Sequence, residues 1–324
     1  MSDFETVTAT ELHSATPGPA GEPNAPGQPH TMEVSKPRSA TADAWRDLRR
    51  RPLFWAAVAI ALLVLVITAV PSLFTSGDPL ACSLSNQNAA PSGAAIFGYD
   101  YQGCDVYTRA IYGTRNSMMI GFFSALFAGF LAILAGLTSG FFGGWIDAVI
   151  SRVVDIVLGL PLILAGLVLM NRIDNAGGGN GARIAGFVLI LGGLGWTTAA
   201  RVVRSSVITA KNQDYVAAAR MLGAGSGRIM LRHILPNALA PFLVVITIAL
   251  GTFIAAEASL SFLGVGLEPP AQSWGQQISA ASPIGLVRTN PIPLLVPSTF
   301  LALTVLAFII MGDKIREAFD PKLR

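Results

Sequence analysis

The sequence predicts an all-α integral membrane protein with six transmembrane helices. The chain of 324 residues is 52% hydrophobic and only 13% charged, with a mean hydropathy of +0.57. Soluble domains carry about 25% charged residues, so a soluble enzyme is excluded. Six apolar runs come close to the roughly 20 residues that cross a bilayer as a helix. Because these runs are apolar on all sides, they fit helices and not the alternating strands of a membrane barrel.

Residues 1–44 precede the first apolar run and are rich in Pro, Gly, Ser, Thr and Ala. Such a segment cannot bury enough apolar surface to offset the entropy lost on ordering. The sequence therefore predicts a disordered cytoplasmic tail here, followed by a transmembrane domain over residues 45–324. A signal peptide would need an apolar stretch near its start, whereas the first run begins at Leu53, so cleavage is not expected.

Two of the six predicted spans contain a carboxylate, and the other four carry no charged side chain. Asp155 lies three residues after Arg152, which favours a structural ion pair. Glu257 lies toward the outer end of its helix, where water is expected to reach it. Because carboxylates in the membrane are costly and often functional, a direct role of Asp155 or Glu257 in the transport pathway stays open. The spans cover residues 53–70, 117–142, 153–170, 184–200, 238–263 and 292–312.

The placement of Lys and Arg predicts the orientation. With the N-terminus in the cytoplasm, 17 of these residues lie inside and 5 lie outside. Cytoplasmic loops carry the excess of positive charge, so both termini are predicted to be cytoplasmic. The main connections are then an external loop at 71–113, a cytoplasmic loop at 201–235 and a second external loop at 264–291.

Cys82 and Cys104 are the only cysteines and fall in the same predicted external loop. Because that compartment is oxidising, a disulfide between them is expected, with two independent thiols as the alternative. The three histidines are far apart and no metal-ligand spacing occurs, so no metal site is expected. The sequence also lacks the P-loop pattern that cradles nucleotide phosphates.

The cytoplasmic loop contains a short predicted helix from Asp214 to Gly223. Asp214 is a suitable N-cap, and Gly223 suits the left-handed position that ends a helix. A second short helix is expected to follow, with Ser226 as its cap. These two helices distinguish the loop from a simple linker.

One face of the first short helix is apolar and shallow. Its position suits insertion into a groove of another protein, or contact with lipid headgroups between Lys211 and Arg220. The residues alone leave these alternatives open. The i, i+3, i+4, i+7 spacing places four residues on that face: Tyr215, Ala218, Ala219 and Leu222.

This loop resembles the EAA loop of bacterial ABC import permeases. Ala217-Ala218-Ala219 is followed after three residues by Gly223 and after nine more by His233-x-Leu235-Pro236. The family pattern has Glu, Ala and Ala, then Gly, then Ile-x-Leu-Pro at the same spacing. Ala217 therefore stands in place of the usual Glu. His233 stands in place of Ile, as is frequent in peptide permeases.

Further segments narrow the resemblance to the C-type membrane subunit of dipeptide, oligopeptide and nickel importers. Together they cover about residues 46–324. Cys104 stands where the family usually has Arg, which supports a pairing with Cys82 particular to this chain. The matching segments are Phe97-Gly98-Tyr99-Asp100 through Arg109, Gly143-Gly144-Trp145-Ile146-Asp147 with Leu160-Pro161, Ser259-Leu260-Ser261-Phe262-Leu263-Gly264 through Ser273-Trp274-Gly275, and the terminal Asp320-Pro321-Lys322-Leu323-Arg324.

The resemblance implies the type I importer architecture in a bacterial cell membrane, with no catalytic residues and no cofactor on this chain. ATP and Mg would bind two separate ATPase subunits. The other implied partners are a homologous second permease, an external solute-binding protein, a peptide substrate and membrane lipid, but no nucleic acid. Nickel import is the alternative within the family, and an ion-gradient-driven secondary transporter is the alternative of another class.

The resemblance also assigns a role to the short helix. Segment 214–223 would act as a rigid lever between the ATPase and the membrane helices. The residues expected to couple the chain to the ATPase are Asp214, Tyr215, Ala217, Ala218, Ala219, Arg220, Leu222 and Gly223.

Overall fold

The computed structural model describes residues 40–319, with side chains from residue 45 onward. Most residues in this part of the chain are helical, and the one β-type pairing among them is an isolated bridge between Tyr99 and Asp105. The disordered tail predicted for residues 1–44 falls mostly outside the described residues, and its last five residues are helical. The helices are α1 (Ala40–Arg49), α2 (Pro52–Ala69), α3 (Val106–Phe142), α4 (Gly144–Leu158), α5 (Leu162–Asn175), α6 (Asn180–Gly195), α7 (Thr197–Lys211), α8 (Asp214–Met221), α9 (Ser226–Ile229), α10 (Leu235–Leu260), α11 (Trp274–Ala281), α12 (Ile284–Thr289) and α13 (Ile292–Phe319).

Four helical stretches in the described chain are long and apolar enough to cross a membrane. They are α2, α3, α13 and the continuous stretch Ser226–Val265 that contains α10. The pairs α4–α5 and α6–α7 also qualify, but they are bent by 83° and 44°. Counting each bent pair as one span gives six, and the predicted all-helical membrane fold is confirmed. Pro161 accounts for the first bend, because proline disfavours helical backbone in the residue before it.

Helix α3 contains the whole span predicted at 117–142 and extends beyond it toward the N-terminus. Its N-cap is Asp105, whose carboxylate accepts hydrogen bonds from the backbone N–H groups of Tyr107 and Thr108. The last residues of the predicted external loop, 106–113, are therefore helical. With 37 residues, α3 is longer than the roughly 20 residues that cross a bilayer.

The centre of the molecule is α3, which packs against α6, α7 and α10. Small residues on α3 make these contacts possible: a Cβ at Gly136 would lie 2.7 Å from the carbonyl oxygen of Ala200, and one at Gly121 would lie 2.3 Å from Ile254. Close backbone approach of this kind is how helices associate in lipid. The glycines of α3 therefore serve packing within this chain.

Candidate functional site

The short helix α8 begins at Asp214, but Asp214 is not its N-cap. Gln213 occupies that position in extended backbone, and no side chain caps the helix. Asp214 is instead the first helical residue, where a carboxylate is favoured by the positive end of the helix dipole. A similar shift holds for α9, whose N-cap is Gly225 and whose first residue is Ser226.

The end of α8 is a complete Schellman motif centred on Gly223. Gly223 has a φ of +78°, which confirms the predicted left-handed position. Its N–H donates to the Arg220 carbonyl at 2.9 Å, and the Ala224 N–H donates to the Ala219 carbonyl at 3.0 Å. These two bonds satisfy carbonyls that the helix end would leave free. They fix the direction in which the chain leaves α8.

The inner face of α8 is made by Val216 and Ala219. Both are buried in the main core, the same cluster that contains Ile229 and Ile234. The prediction that Ala219 belongs to an outward apolar face was therefore wrong. Ala219 lies three residues after Val216, so both are on the side of α8 that faces the core. Val216 is the anchor that the sequence reasoning missed.

The outer face of α8 is exposed in this chain. Met221 and Leu222, two large apolar residues in a row, are 83% and 88% exposed. Tyr215 is partly exposed and its hydroxyl accepts a hydrogen bond from Asn237 at 3.0 Å. Of the remaining residues expected to couple the chain to the ATPase, four are exposed: Asp214, Ala217, Ala218 and Arg220.

Hydrogen bonds attach α8, and the end of α7 before it, to the neighbouring membrane helices. Asn237 in the first turn of α10 bonds both Tyr215 and the His233 carbonyl, the latter at 2.8 Å. At the end of α7, the Lys211 ammonium donates to the Phe141 carbonyl at the end of α3. These bonds connect α8 to α10, and the end of α7 to the end of α3.

Ion pairs join α4 to α7, the helix that precedes α8. Arg204 binds both carboxylate oxygens of Asp147, at 2.5 and 2.6 Å. Asp155 lies 3.8 Å from Arg152, the partner suggested by the sequence, but only 2.7 Å from Arg201. These contacts place Asp155 in a structural ion pair between two helices.

Glu257 is fully buried, so the expectation that water reaches it was wrong. Its carboxylate accepts hydrogen bonds from Ser261 at 2.8 Å, Ser273 at 2.9 Å and Ser117 at 3.3 Å. These serines belong to the turn after α10, the connection before α11, and α3. Glu257 thus ties three parts of the chain together, which fits a structural role better than a place in a water-filled pathway.

Residues 266–290 lie in the loop that the sequence predicts to be external, and we call them the external cap. Arg183 on α6 is buried and binds the Gly266 carbonyl at 2.5 Å, Asp174 at 3.1 Å and Glu268 at 2.5 Å. The side chain of Gln272 joins the cap to α3, because its carbonyl oxygen accepts two bonds from Arg109 at 3.0 and 3.1 Å. The cap is therefore a bonded part of the membrane domain.

The buried pair of Arg109 and Asp100 should make a large contribution to the stability of this outer region. The two side chains are 2.6 Å apart and nearly inaccessible. We expect Arg109→Ala to lower the free energy of unfolding by about 3–5 kcal/mol, because it leaves a buried carboxylate unpaired. The measurement is a thermal-unfolding cycle in detergent with Asp100→Ala and the double variant. Additive effects would contradict the pairing, and the exposed Arg115→Ala is the control.

Cys82 and Cys104 are joined by a disulfide in the structure, and Cys104 is buried. We expect the denatured, unreduced protein to take up no alkylating reagent, and the reduced protein to take up two equivalents. Mass spectrometry of the full chain would measure both. Alkylation of either thiol before reduction would contradict the pairing, because no other cysteine is present to exchange with them.

An all-helical membrane domain with a short helix mounted rigidly on one face is the arrangement of a transport permease subunit. The sequence profile of the binding-protein-dependent transport system inner membrane component matches residues 116–324. The chain belongs to this family, and the predicted resemblance to ABC import permeases is confirmed. It is an integral inner-membrane protein.

Several relatives of known name align over most of the chain. The dipeptide transport system permease protein DppC of Bacillus subtilis is 34% identical over 88% of this chain and 87% of its own length. The oligopeptide transport system permease protein OppC of the same organism is 33% identical over 94% and 97%. The glutathione transport system permease protein GsiD of Pectobacterium atrosepticum is 33% identical over 91% and 96%.

The sequence reasoning missed several side chains that hold the site in place. Arg201 and Arg204 on α7 were counted only as positive charge, although they pair with Asp155 and Asp147 of α4. Arg183 was counted in the same way. An arginine next to an apolar run, with a carboxylate in a neighbouring segment, is the signal that would have found these pairs.

Proposed function

We propose that this chain is one permease subunit of an ATP-driven importer of dipeptides or oligopeptides. The observation that carries the proposal is α8, a short helix with an exposed apolar end, fixed in direction by Gly223 and mounted on α10. The peptide substrate is supported by the names of the relatives, and by His233 in the position that is frequent in peptide permeases. Nickel has no comparable support.

The remaining subunits are part of the proposal. Two separate ATPase subunits would bind ATP and Mg, and the exposed Met221 and Leu222 offer an apolar contact for one of them. A homologous second permease would complete the membrane pathway, and a solute-binding protein would deliver peptide at the external cap. Both termini would be cytoplasmic, as the distribution of Lys and Arg indicates.

The proposed transport mechanism depends on how α8 is attached to the membrane helices. Closure of the ATPase pair on ATP would displace α8 as a unit, because its inner face is buried in the core and Tyr215 near its start is hydrogen-bonded to Asn237 of α10. The displacement would shift α10 and α3 and so change which side of the membrane the pathway faces. Such coupling requires contacts that differ between the two states.

The substrate is tested by uptake into vesicles that contain the complete complex, its binding protein and internal ATP. We expect accumulation of labelled dipeptides or oligopeptides and none of Ni²⁺. Accumulation of Ni²⁺ without peptide would replace the proposed substrate. Peptide uptake that follows an ion gradient and ignores ATP would overturn the ATP-driven class.

The ATPase contact is tested by crosslinking in the complete complex. Because both native cysteines are in the disulfide, Leu222→Cys introduces the one reactive thiol. We expect a short thiol–amine crosslinker to join this position to an ATPase subunit. Leu73→Cys, exposed at the outer end of α2, is the control that should give no such product. If cysteines introduced at Leu222, Met221 and Ala218 all fail to crosslink to an ATPase subunit, the proposed role of segment 214–223 as a lever is contradicted.

A further inference from the structure

The helix α1 packs on the membrane domain and carries three exposed arginines. Leu48 is buried against Phe54 and Ala318, which fixes α1 to α2 and α13. Arg51 is used internally, since it pairs with Asp47 at 2.8 Å and with Glu317. Arg46, Arg49 and Arg50 are exposed and make no ion pair with any described side chain. The structure therefore places three exposed guanidinium groups beside the start of the first span.

Two tryptophans show the depth at which these arginines lie. Trp55 is on the second turn of the apolar helix α2, and its ring is 6.3 Å from that of Trp45 on α1. The rings are 45% and 47% exposed, and the Trp55 indole N–H donates to the Arg49 carbonyl at 3.3 Å. The Arg49 guanidinium lies 5.4 Å from the centre of the Trp45 ring. Tryptophan pairs of this kind belong at the boundary between hydrocarbon and headgroups.

From this arrangement we infer that α1 is a binding site for anionic phospholipid headgroups. The rings set the depth, and the cations Arg46, Arg49 and Arg50 meet the phosphates at that level. A guanidinium binds phosphate with paired hydrogen bonds, and each basic residue near an anionic bilayer favours binding by about fivefold, the equivalent of about 1 kcal/mol. A cytosolic protein does not fit this surface, because Trp55 and the exposed Leu53 continue directly into the lipid-facing side of α2.

The site has a structural consequence. Through Arg51 and Leu48, α1 is bonded to the end of α13, so lipid bound to α1 also holds the start of α2 and the end of α13 at the same membrane level. The inference concerns the lipid partner alone and does not depend on the transported solute.

Fluorescence quenching by brominated lipid tests the site in the full-length protein. The chain is reconstituted in phosphatidylcholine vesicles that contain an equal, minor fraction of either brominated phosphatidylglycerol or brominated phosphatidylcholine. We expect the anionic lipid to quench about fivefold more efficiently per mole than the neutral one, through Trp45 and Trp55. Trp45→Phe with Trp55→Phe should remove the preference, and Trp145→Phe, another exposed tryptophan, should keep it.

Variants of the three α1 arginines test whether their positive charges produce the preference for anionic lipid. Arg46→Gln, Arg49→Gln and Arg50→Gln together should reduce the quenching ratio to about one, whereas the matched triple change at the exposed Arg220, Arg228 and Arg232 should preserve it. Equal quenching by both lipids in the unmodified protein, or a preference that survives the α1 variant, would overturn the inference.

Two measurements on the unmodified protein avoid any folding defect. In 1 M salt, where charges are screened beyond about 3 Å, the preference should collapse. At constant ionic strength, replacing chloride by inorganic phosphate should leave it unchanged. Loss of the preference in phosphate would show a site for a free anion and contradict the lipid assignment.

Discussion

Gly223→Val should abolish import while leaving the protein in the membrane. Gly223 ends α8 with a φ of +78°, and a Cβ there would meet no atom within 4 Å. The change therefore acts through the backbone alone, because the left-handed region costs a residue with a side chain about 1–2 kcal/mol, and a β-branched one more. The chain relieves this strain by leaving the Schellman geometry, and the outer end of α8 then points elsewhere.

The expected size of the effect follows from the energies involved in coupling. Coupling free energies are typically about 1–3 kcal/mol, so loss of the docking geometry should reduce peptide uptake by about tenfold or more. Uptake in vesicles is measured together with the amount of chain in the membrane fraction. Gly225→Ala is the matched control, since Gly225 lies two residues on, has an ordinary φ and also faces open space. Normal uptake in Gly223→Val would contradict the lever.

The left-handed backbone position of Gly223 could be predicted from the sequence because it depends on local chemistry. A glycine after an alanine-rich stretch that begins with an acidic residue marks a helix end, whatever surrounds it. The membrane spans could be predicted for the same reason, since a long apolar run requires internal backbone bonding wherever it lies in the bilayer. The bends at Pro161 and after Gly195 did not alter which segments are apolar.

The features that the sequence could not predict depend on contacts between distant segments. Ala219 was assigned to the outer face because helical periodicity gives faces but not the direction of the core. Periodicity cannot show that α9 and the turn after it, which carry Ile229 and Ile234, pack against α8 and share a core with Val216.

Glu257 is a single residue whose surroundings also depend on distant segments and so could not be predicted from the sequence. Its position near the outer end of α10 suggested contact with water, yet the structure surrounds it with serines from segments 140 residues upstream and 16 residues downstream. A carboxylate in an apolar run is costly wherever it lies. Whether it is solvated or bonded is decided by the chain that folds over it, and that chain is the external cap.

Glu257→Ala should strongly destabilise the region around the external cap. It removes the acceptor for Ser117, Ser261 and Ser273 at once and leaves a cavity at a fully buried site. Each buried hydroxyl without a partner costs about 1–3 kcal/mol. We therefore expect the free energy of unfolding to fall by at least about 3 kcal/mol, and the thermal midpoint in detergent by about 4–5 °C or more.

Two further variants test whether the loss of stability comes from the hydrogen bonds of Glu257 or from any substitution in α10. Glu257→Gln keeps the shape and one acceptor oxygen, so its midpoint should lie between those of Glu257→Ala and the unmodified chain. Ser259→Ala removes an exposed hydroxyl that bonds only to the Ala255 carbonyl of its own helix, and it should change the midpoint little. A Glu257→Ala midpoint equal to that of Ser259→Ala would show that the external cap is held without this carboxylate. Because the cap is fixed to α3 through Ser117 and to α10 through Glu257, the destabilised variant should also expose residues 266–290 to proteolysis before the helices unfold.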